Sequence, residues 1–204
     1  MKYSKLNTRP ETFFSHQITI TSESGVGSSS TLAQLRLRLG DRFEYMSGGD
    51  AMREIAKNYE LPIEEFVNFL HEHPEIDHEI DNKQRKFAEK NYRVIESRLA
   101  HVFCPYGFHV LLTCHPKERA RRLTKKLNIP FNECLKKIIE RDANDKKRYS
   151  KIYPGSIWSP SDFDQVISTE ENSPEAVAQI IIGGLFAWRI VLPQECLIQA
   201  KTLP

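Results

Sequence analysis

No stretch of the 204-residue sequence is apolar for long enough to cross a bilayer, and the N-terminus has no signal-peptide core. Both absences argue against a membrane or secreted protein and point to the cytoplasm. Cysteine is scarce. Cys104, Cys114, Cys134 and Cys196 stand far apart, with neither the paired spacing of a metal site nor a disulfide framework, so free thiols in a reducing compartment are expected. A dominant charge is also missing: 29 Lys+Arg against 27 Asp+Glu leave +2, too little to draw in a nucleic acid polymer or a membrane surface. Basic residues can matter only where they cluster. The ligand-rich stretch from His71 to His78 lacks the His-Glu-x-x-His spacing and reads as a charged helix start rather than a metal site. What remains, 40% hydrophobic and 27% charged residues, suits one α/β domain with a substantial core and room for a small inserted subdomain.

The most informative stretch lies near the beginning. Ile18 and Ile20 alternate with threonines, as in a short strand, and Leu32, Leu35 and Leu39 recur at helical spacing before Gly40. Between them runs Ser22-Glu-Ser-Gly-Val-Gly-Ser-Ser-Ser30. A strand that feeds a glycine-bearing turn into a helix N-terminus directs unpaired N–H groups and the positive end of the helix dipole at an anion. Against the pattern Gly-x-x-x-x-Gly-Lys-Ser/Thr, Ser22 replaces the first glycine, Gly27 holds the second, Ser28 replaces the lysine and Ser29 supplies the Mg²⁺-binding hydroxyl. The stretch reads as a nucleotide-kinase phosphate loop without its lysine, in which Glu23, Ser24, Gly25, Val26, Gly27, Ser28, Ser29 and Ser30 receive the ATP phosphates.

Further along, strands are expected at 43–46, 94–95, 108–114 and 166–167. Helices are expected after Asp50, which can cap one carrying Met52, Ile55, Ala56 and Tyr59, and after Pro62, Pro74, Pro116 and Pro174. Another spans 131–149, and 153–160 is loop-like. Strands thus alternate with helices, which predicts a parallel sheet covered by helices on both faces. The N-terminal extension is placed at 1–16, the domain at 17–182 and a C-terminal extension at 183–204, where Gly183-Gly184 begins a stretch of unassigned form. Trp158 and Trp188 read as packing residues.

Arginines recur where such a sheet would gather a ligand. Arg119 and Arg122 share a helix face, as do Arg141, Asp145 and Arg148, with Asp145 placed to orient a guanidinium. Arg53 sits one turn into a helix and Arg98 just past a strand. Open α/β sheets bind ligands at the carboxyl ends of their strands, and guanidiniums converging there would repel one another unless a polyanion joined them. Phosphoryl transfer asks for that arrangement. Asp77 and Asp81 are like charges at i, i+4, with Arg85 available to pair Asp81.

With these motifs in order, the sequence resembles the cytidylate kinases of archaeal type, P-loop nucleoside monophosphate kinases. Their Ser/Cys-Ala-Gly-Asp-x-Phe-Arg-Glu-Met-Ala is met by Ser47-Gly-Gly-Asp-Ala-Met-Arg-Glu-Ile-Ala56, and their Asp-Pro-Glu-Ile-Asp-Arg-Glu-Ile-Asp-Arg-x-Gln by His73-Pro-Glu-Ile-Asp-His-Glu-Ile-Asp-Asn-Lys-Gln84. Their Val-Leu-Glu-Gly-Arg-Leu-Ala is met by Val94-Ile-Glu-Ser-Arg-Leu-Ala100. The arginine motifs around Arg119–Arg122 and Arg141–Tyr153 follow, and the likeness runs over about 18–182. It implies an ATP- and Mg²⁺-dependent transferase acting on CMP or dCMP, with a helical acceptor-binding insertion at about 49–87 and a lid at about 142–160. By the same resemblance Arg53 and Arg98 bind the acceptor monophosphate, and Ser47 and Asp50 belong to the same acceptor-binding motif. Arg119, Arg122, Arg141 and Arg148, with Asp145, hold the donor triphosphate and the transferring group, and Ser29 holds Mg²⁺ partly through water. The partners implied are ATP and a nucleoside monophosphate, taken by a monomer, with neither nucleic acid nor membrane involved. Alternatives are another acceptor (UMP, AMP or a small metabolite) and a catalytically degenerate nucleotide-binding module. Ser22 and Ser97 stand where the family has glycine, which strains the backbone if either position needs a positive φ.

Overall fold

The computed structural model describes residues 16–153 and 158–187. Five strands, β1 (Gln17–Ser22), β2 (Glu44–Ser47), β3 (Arg93–Glu96), β4 (Phe108–Thr113) and β5 (Gln165–Ser168), form one sheet in the order β2-β3-β1-β4-β5. Every pairing is parallel; Ile18 faces Val94 on one side and Phe108 on the other. Around it lie α1 (Ser28–Leu39), α2 (Gly48–Asn58), α3 (Ile63–Glu72), α4 (Pro74–Ala88), α5 (Ala100–Phe103), α6 (Pro116–Leu127), α7 (Phe131–Ile152) and α8 (Pro174–Ala187).

The Ile/Thr alternation of β1 divides the two faces. Ile18 and Ile20 join Val94, Val110, Leu112 and Ile167 in a core closed by α1 and α8. The opposite face is also buried and mixes the apolar Ile95 and Leu111 with paired polar groups: Thr19 hydrogen-bonds His109 Nδ1 at 2.8 Å and Thr21 hydrogen-bonds His101 Nδ1 at 3.2 Å. Two smaller cores serve the outlying helices. Ile55, Phe66, Leu70, Ile76 and Ile80 knit α2, α3 and α4 together, while Ala120, Cys134 and Ile138 join α6 to α7.

Some local expectations are corrected. Asp50 does not cap α2; Ser47 stands at the N-cap, and Asp50 pairs with Arg53 one turn later. Asp81 accepts a hydrogen bond from the Tyr153 hydroxyl, while the Arg85 guanidinium stacks over Phe103 at 4.9 Å. The helix expected over 131–149 continues to Ile152, and a short helix, α5, had no periodic signal. Gly183 and Gly184 lie inside α8. A Cβ on Gly184 would stand 2.9 Å from Phe108 Cζ, so glycine there lets the helix approach β4 and β5. Trp158 packs edge-on against Phe163; Trp188, residues 1–15 and the rest of the C-terminal extension lie outside the described residues. Among the described residues, no helix is long and apolar enough to cross a membrane.

Candidate active site

Strand order reverses at β1, between β3 and β4, and the loop from β1 to α1 emerges at that switch point. Gly25 (φ +77°) and Gly27 (φ +104°) adopt the left-handed backbone that side chains disfavour. Gly27 is the N-cap of α1, without a side-chain cap, and the first turn carries no acidic residue. The helix N-terminus is therefore left to accept an anion. Ser22 and Ser97 are not among the described residues with positive φ, so serine brings no backbone strain at either place.

Three arginines hold this loop by alternate carbonyls. Arg98 Nη1 donates to Ser22 O at 2.9 Å, Arg119 Nη1 to Ser24 O at 3.0 Å and Arg122 Nη1 to Val26 O at 3.0 Å. Each bond fixes one peptide, and each guanidinium adds positive charge close to a loop that lacks its lysine. Arg119 is 1% exposed; its fork also grips Asp142 through two bonds, at 3.2 and 2.6 Å, and Glu23 at 3.0 Å. Arg122 additionally donates to Thr169 O and Glu170 O. It borders a cleft of about 410 Å³ lined by Val26, Gly27, Thr31, Thr169 and Asn172.

Across the loop, the carboxyl half of α7 brings its charges inward. Asp145 lies between Arg98 Nε at 2.7 Å and Arg148 Nη2 at 3.7 Å, and Arg148 also reaches Asp77 on α4 at 3.3 Å and the Tyr149 hydroxyl at 2.8 Å. Burial alone would lower the pKa of Arg98, but Asp145 carries it above its ordinary value; for Arg148, Tyr149 and Asp77 outweigh burial in the same way. Arg141 is pushed the other way, by burial first and then by Arg98, with Arg148 adding to it. A guanidinium pressed by two like neighbours marks a place where an anion would be welcome. The Glu23 carboxyl is raised by burial, against the pull of Arg119.

At the end of β2, Ser47 Oγ donates to Glu96 Oε2 at 2.9 Å, and Ser28 Oγ donates to Glu96 Oε1 at 2.7 Å. Glu96 thus joins the phosphate loop to the motif at the start of α2. Its sequence signals are its place in the Val94–Ala100 motif and a carboxylate ending an apolar strand at the carboxyl edge of the sheet. Asp142 is another charged residue whose place in the site had no local signal. Arg53 is exposed and paired with Asp50; its guanidinium and Ser47 Oγ each lie 3.5 Å from where a Cβ on Gly49 would stand. A Cβ on Gly48 would stand 2.6 Å from Ser97 Cβ, so Ser97 fills the space that glycine leaves at position 48.

The structure brings the loop, Ser47, Arg98, Arg119, Arg122, Asp145 and Arg148 into one connected network, with Arg141 and Arg53 at its rim. Ser29 and Ser30 are exposed at the start of α1, and it is Ser28 that reaches a carboxylate. Among the described residues, no three His, Cys, Asp or Glu side chains cluster to hold a metal ion. A carboxylate and serine hydroxyls beside a phosphate cradle nonetheless suit Mg²⁺, which keeps several waters and takes phosphate oxygens as ligands.

Residues 17–171 match the family model described as the cytidylate kinase-like family. A cytidylate kinase of Methanocaldococcus jannaschii is 34% identical over 173 residues, covering 82% of this chain and 96% of that protein. One from Thermococcus kodakarensis is 33% identical over 169 residues, covering 82% of this chain and 86% of its own. In fold, the chain is similar to a shikimate kinase from Bacteroides thetaiotaomicron, with a TM-score of 0.57, 17% identity, and coverage of 83% and 98%. A parallel sheet built around an arginine-pinned phosphate loop and a family match over most of its length agree: the chain belongs to the cytidylate kinase-like family.

Proposed function

We propose that the protein transfers the γ-phosphoryl group of ATP to CMP or dCMP, giving ADP and the nucleoside diphosphate. The observation that carries this is the position of Arg98, Arg141 and Arg148 around Asp145 beside an open helix N-terminus, a site that neutralises several phosphates at once. Loop N–H groups of Glu23–Ser30 bind the donor phosphates, and the cleft beside Arg122 takes the donor base. Arg119 holds the loop in shape. Arg53 and Arg98 receive the acceptor phosphate, Arg53 exchanging its pairing to Asp50 for the phosphate, and Ser47 and Asp50 belong to the same acceptor-side motif.

An acceptor phosphate oxygen attacks the γ-phosphorus in line as the bond to the ADP oxygen breaks, with no covalent enzyme intermediate. Arg141 and Arg148 neutralise charge on the transferring group. Ser29, with Glu96 through water, would hold Mg²⁺, which when bound would withdraw negative charge from the donor phosphates. The acceptor-binding subdomain (about 49–87) and the lid (about 142–160) close over both nucleotides and exclude the water that would otherwise take the phosphate. In this reading the enzyme works as a cytoplasmic monomer on free nucleotides.

The test is to mix the protein with ATP, Mg²⁺ and CMP and to follow ADP and CDP. Stoichiometric formation of both supports the proposal; transfer to UMP or AMP alone reassigns the acceptor. A second reading, a nucleotide-binding module without turnover, is favoured by one observation, that Ser28 replaces lysine and donates to Glu96. ATP binding without CDP formation would select it.

A further inference from the structure

The last described helix, α8, is built differently from the other surface helices. Its inner face, Val177, Ala178, Ile181 and Leu185, closes the main core, and Gly184 lies against Phe108. Outward, Ala176, Gln179, Ile180, Gly183, Phe186 and Ala187 recur at three- and four-residue steps and form one stripe. α6 and α7 turn Lys125, Lys137 and Glu140 to water, whereas this stripe carries no charge and a single polar side chain. Ile180 is 39% exposed and Phe186 42%, and a Cβ on Gly183 would meet nothing within 4 Å. A helix that is apolar all round belongs in an interior, so the stripe calls for an apolar cover.

The chain itself supplies one. Residues 188–204 follow directly on Ala187, at the end of the stripe, and both lie beyond the family match, which stops at residue 171. Nine of these 17 residues are apolar, Trp188, Ile190, Leu192 and Ile198 among them, and only three are charged. Segments that stay in water are poor in such side chains. Fully extended, 17 residues reach about 55 Å, three times the stripe's length of about 18 Å, so the chain can turn and run back along it. Tethering holds it there at an effective concentration on the order of millimolar. Other occupants fit less well. A single helix face of this length falls far short of the roughly 800 Å² per partner that a stable dimer buries. Residues 1–15 reach the sheet at His16, stacked on Tyr92 beside β3, with β1 between them and the β4–β5 side where α8 lies. We propose that residues 188–204 fold back over α8 and bury Ile180, Gly183 and Phe186. Capped in this way, the stripe cannot pair copies of the chain through an exposed apolar patch.

The experiment follows amide hydrogen exchange, thermal melting and light-scattering mass of the full chain. In the parent, amides within 188–204 should exchange at least about tenfold more slowly than those of an unstructured chain. The double variant Ile180→Lys, Phe186→Lys should lose that protection and melt roughly 5–10 °C lower. On a bare face the same change would leave the melting temperature level or raise it, because lysine is a good helix former and suits a last turn. Leu197→Lys with Ile198→Lys should give a similar fall from the other side, and joining the two pairs should cost less than their sum. Amides of 188–204 that exchange freely in the parent overturn the proposal whatever the variants do. So does a melting temperature that the α8 pair leaves unchanged. A parent that is dimeric, and becomes monomeric in the α8 pair, gives the stripe to a second copy and overturns it equally.

Discussion

Replacing Arg119 by methionine separates a residue that shapes the phosphate loop from one that touches phosphate. Its guanidinium holds Ser24 O, both oxygens of Asp142 and one oxygen of Glu23, at 1% exposure. Methionine fills much of the volume but leaves Asp142, 19% exposed, without its bidentate partner. Removing one member of a buried ion pair costs roughly 3–5 kcal/mol. Glu23 adds little, because at 38% exposure water can replace much of what it loses. A total near 3 kcal/mol is expected, which lowers the melting temperature of a chain this size by about 6–12 °C. Arg119→Lys keeps one charge but not the fork, so it should recover about half of that. The assays are thermal melts without nucleotide, read beside KM for ATP, which should rise as the loop loses its shape. An unchanged melting temperature with turnover lowered by 10³-fold would refute this account and make Arg119 a phosphate ligand.

Other outcomes follow from the same contacts. Arg148→Ala should reduce kcat by roughly 10³-fold if its guanidinium stabilises the transferring group; a change of only a few-fold in steady-state assays would count against that role. Gly48→Ala should cost about 1–3 kcal/mol because the new Cβ collides with Ser97, and Ser97→Gly in the same chain should restore most of it in denaturant melts. Burial, with Asp77 adding, pushes the Asp81 carboxyl from 3.8 up to about 6, against Tyr153, Arg85 and His78. The folded chain then holds more protons than the unfolded one between those values, so Asp81's contribution to stability falls as pH rises through that window. Asp81→Asn should remove this slope, its advantage over the parent growing between pH 4 and 6 to at most about 3 kcal/mol and staying level above.

Much of this site was legible in the chain itself. The step from alternating Ile and Thr to glycines to spaced leucines predicts a strand, an anion-binding turn and a helix, because each period is a local backbone property. Arg141, Asp145 and Arg148 share a face for the same local reason. That the arginines converge on a polyanion could be argued from the rule for the carboxyl ends of strands. Which arginine does what could not. Arg119 and Arg122 look alike in sequence, one turn apart, yet Arg119 is sealed beneath the loop by two carboxylates and Arg122 borders an open cleft.

Local sequence determined the secondary elements, the charge inventory and the presence of a phosphate loop. Only the strand order, which sets β3 between β1 and β2, decided that Glu96 would bridge Ser28 and Ser47 and that Ser97 would fill the gap at Gly48. Those pairs are separated by dozens of residues. Contacts between side chains depend on how elements stack in three dimensions, and no periodicity in a linear pattern encodes which neighbour a given carboxylate will meet.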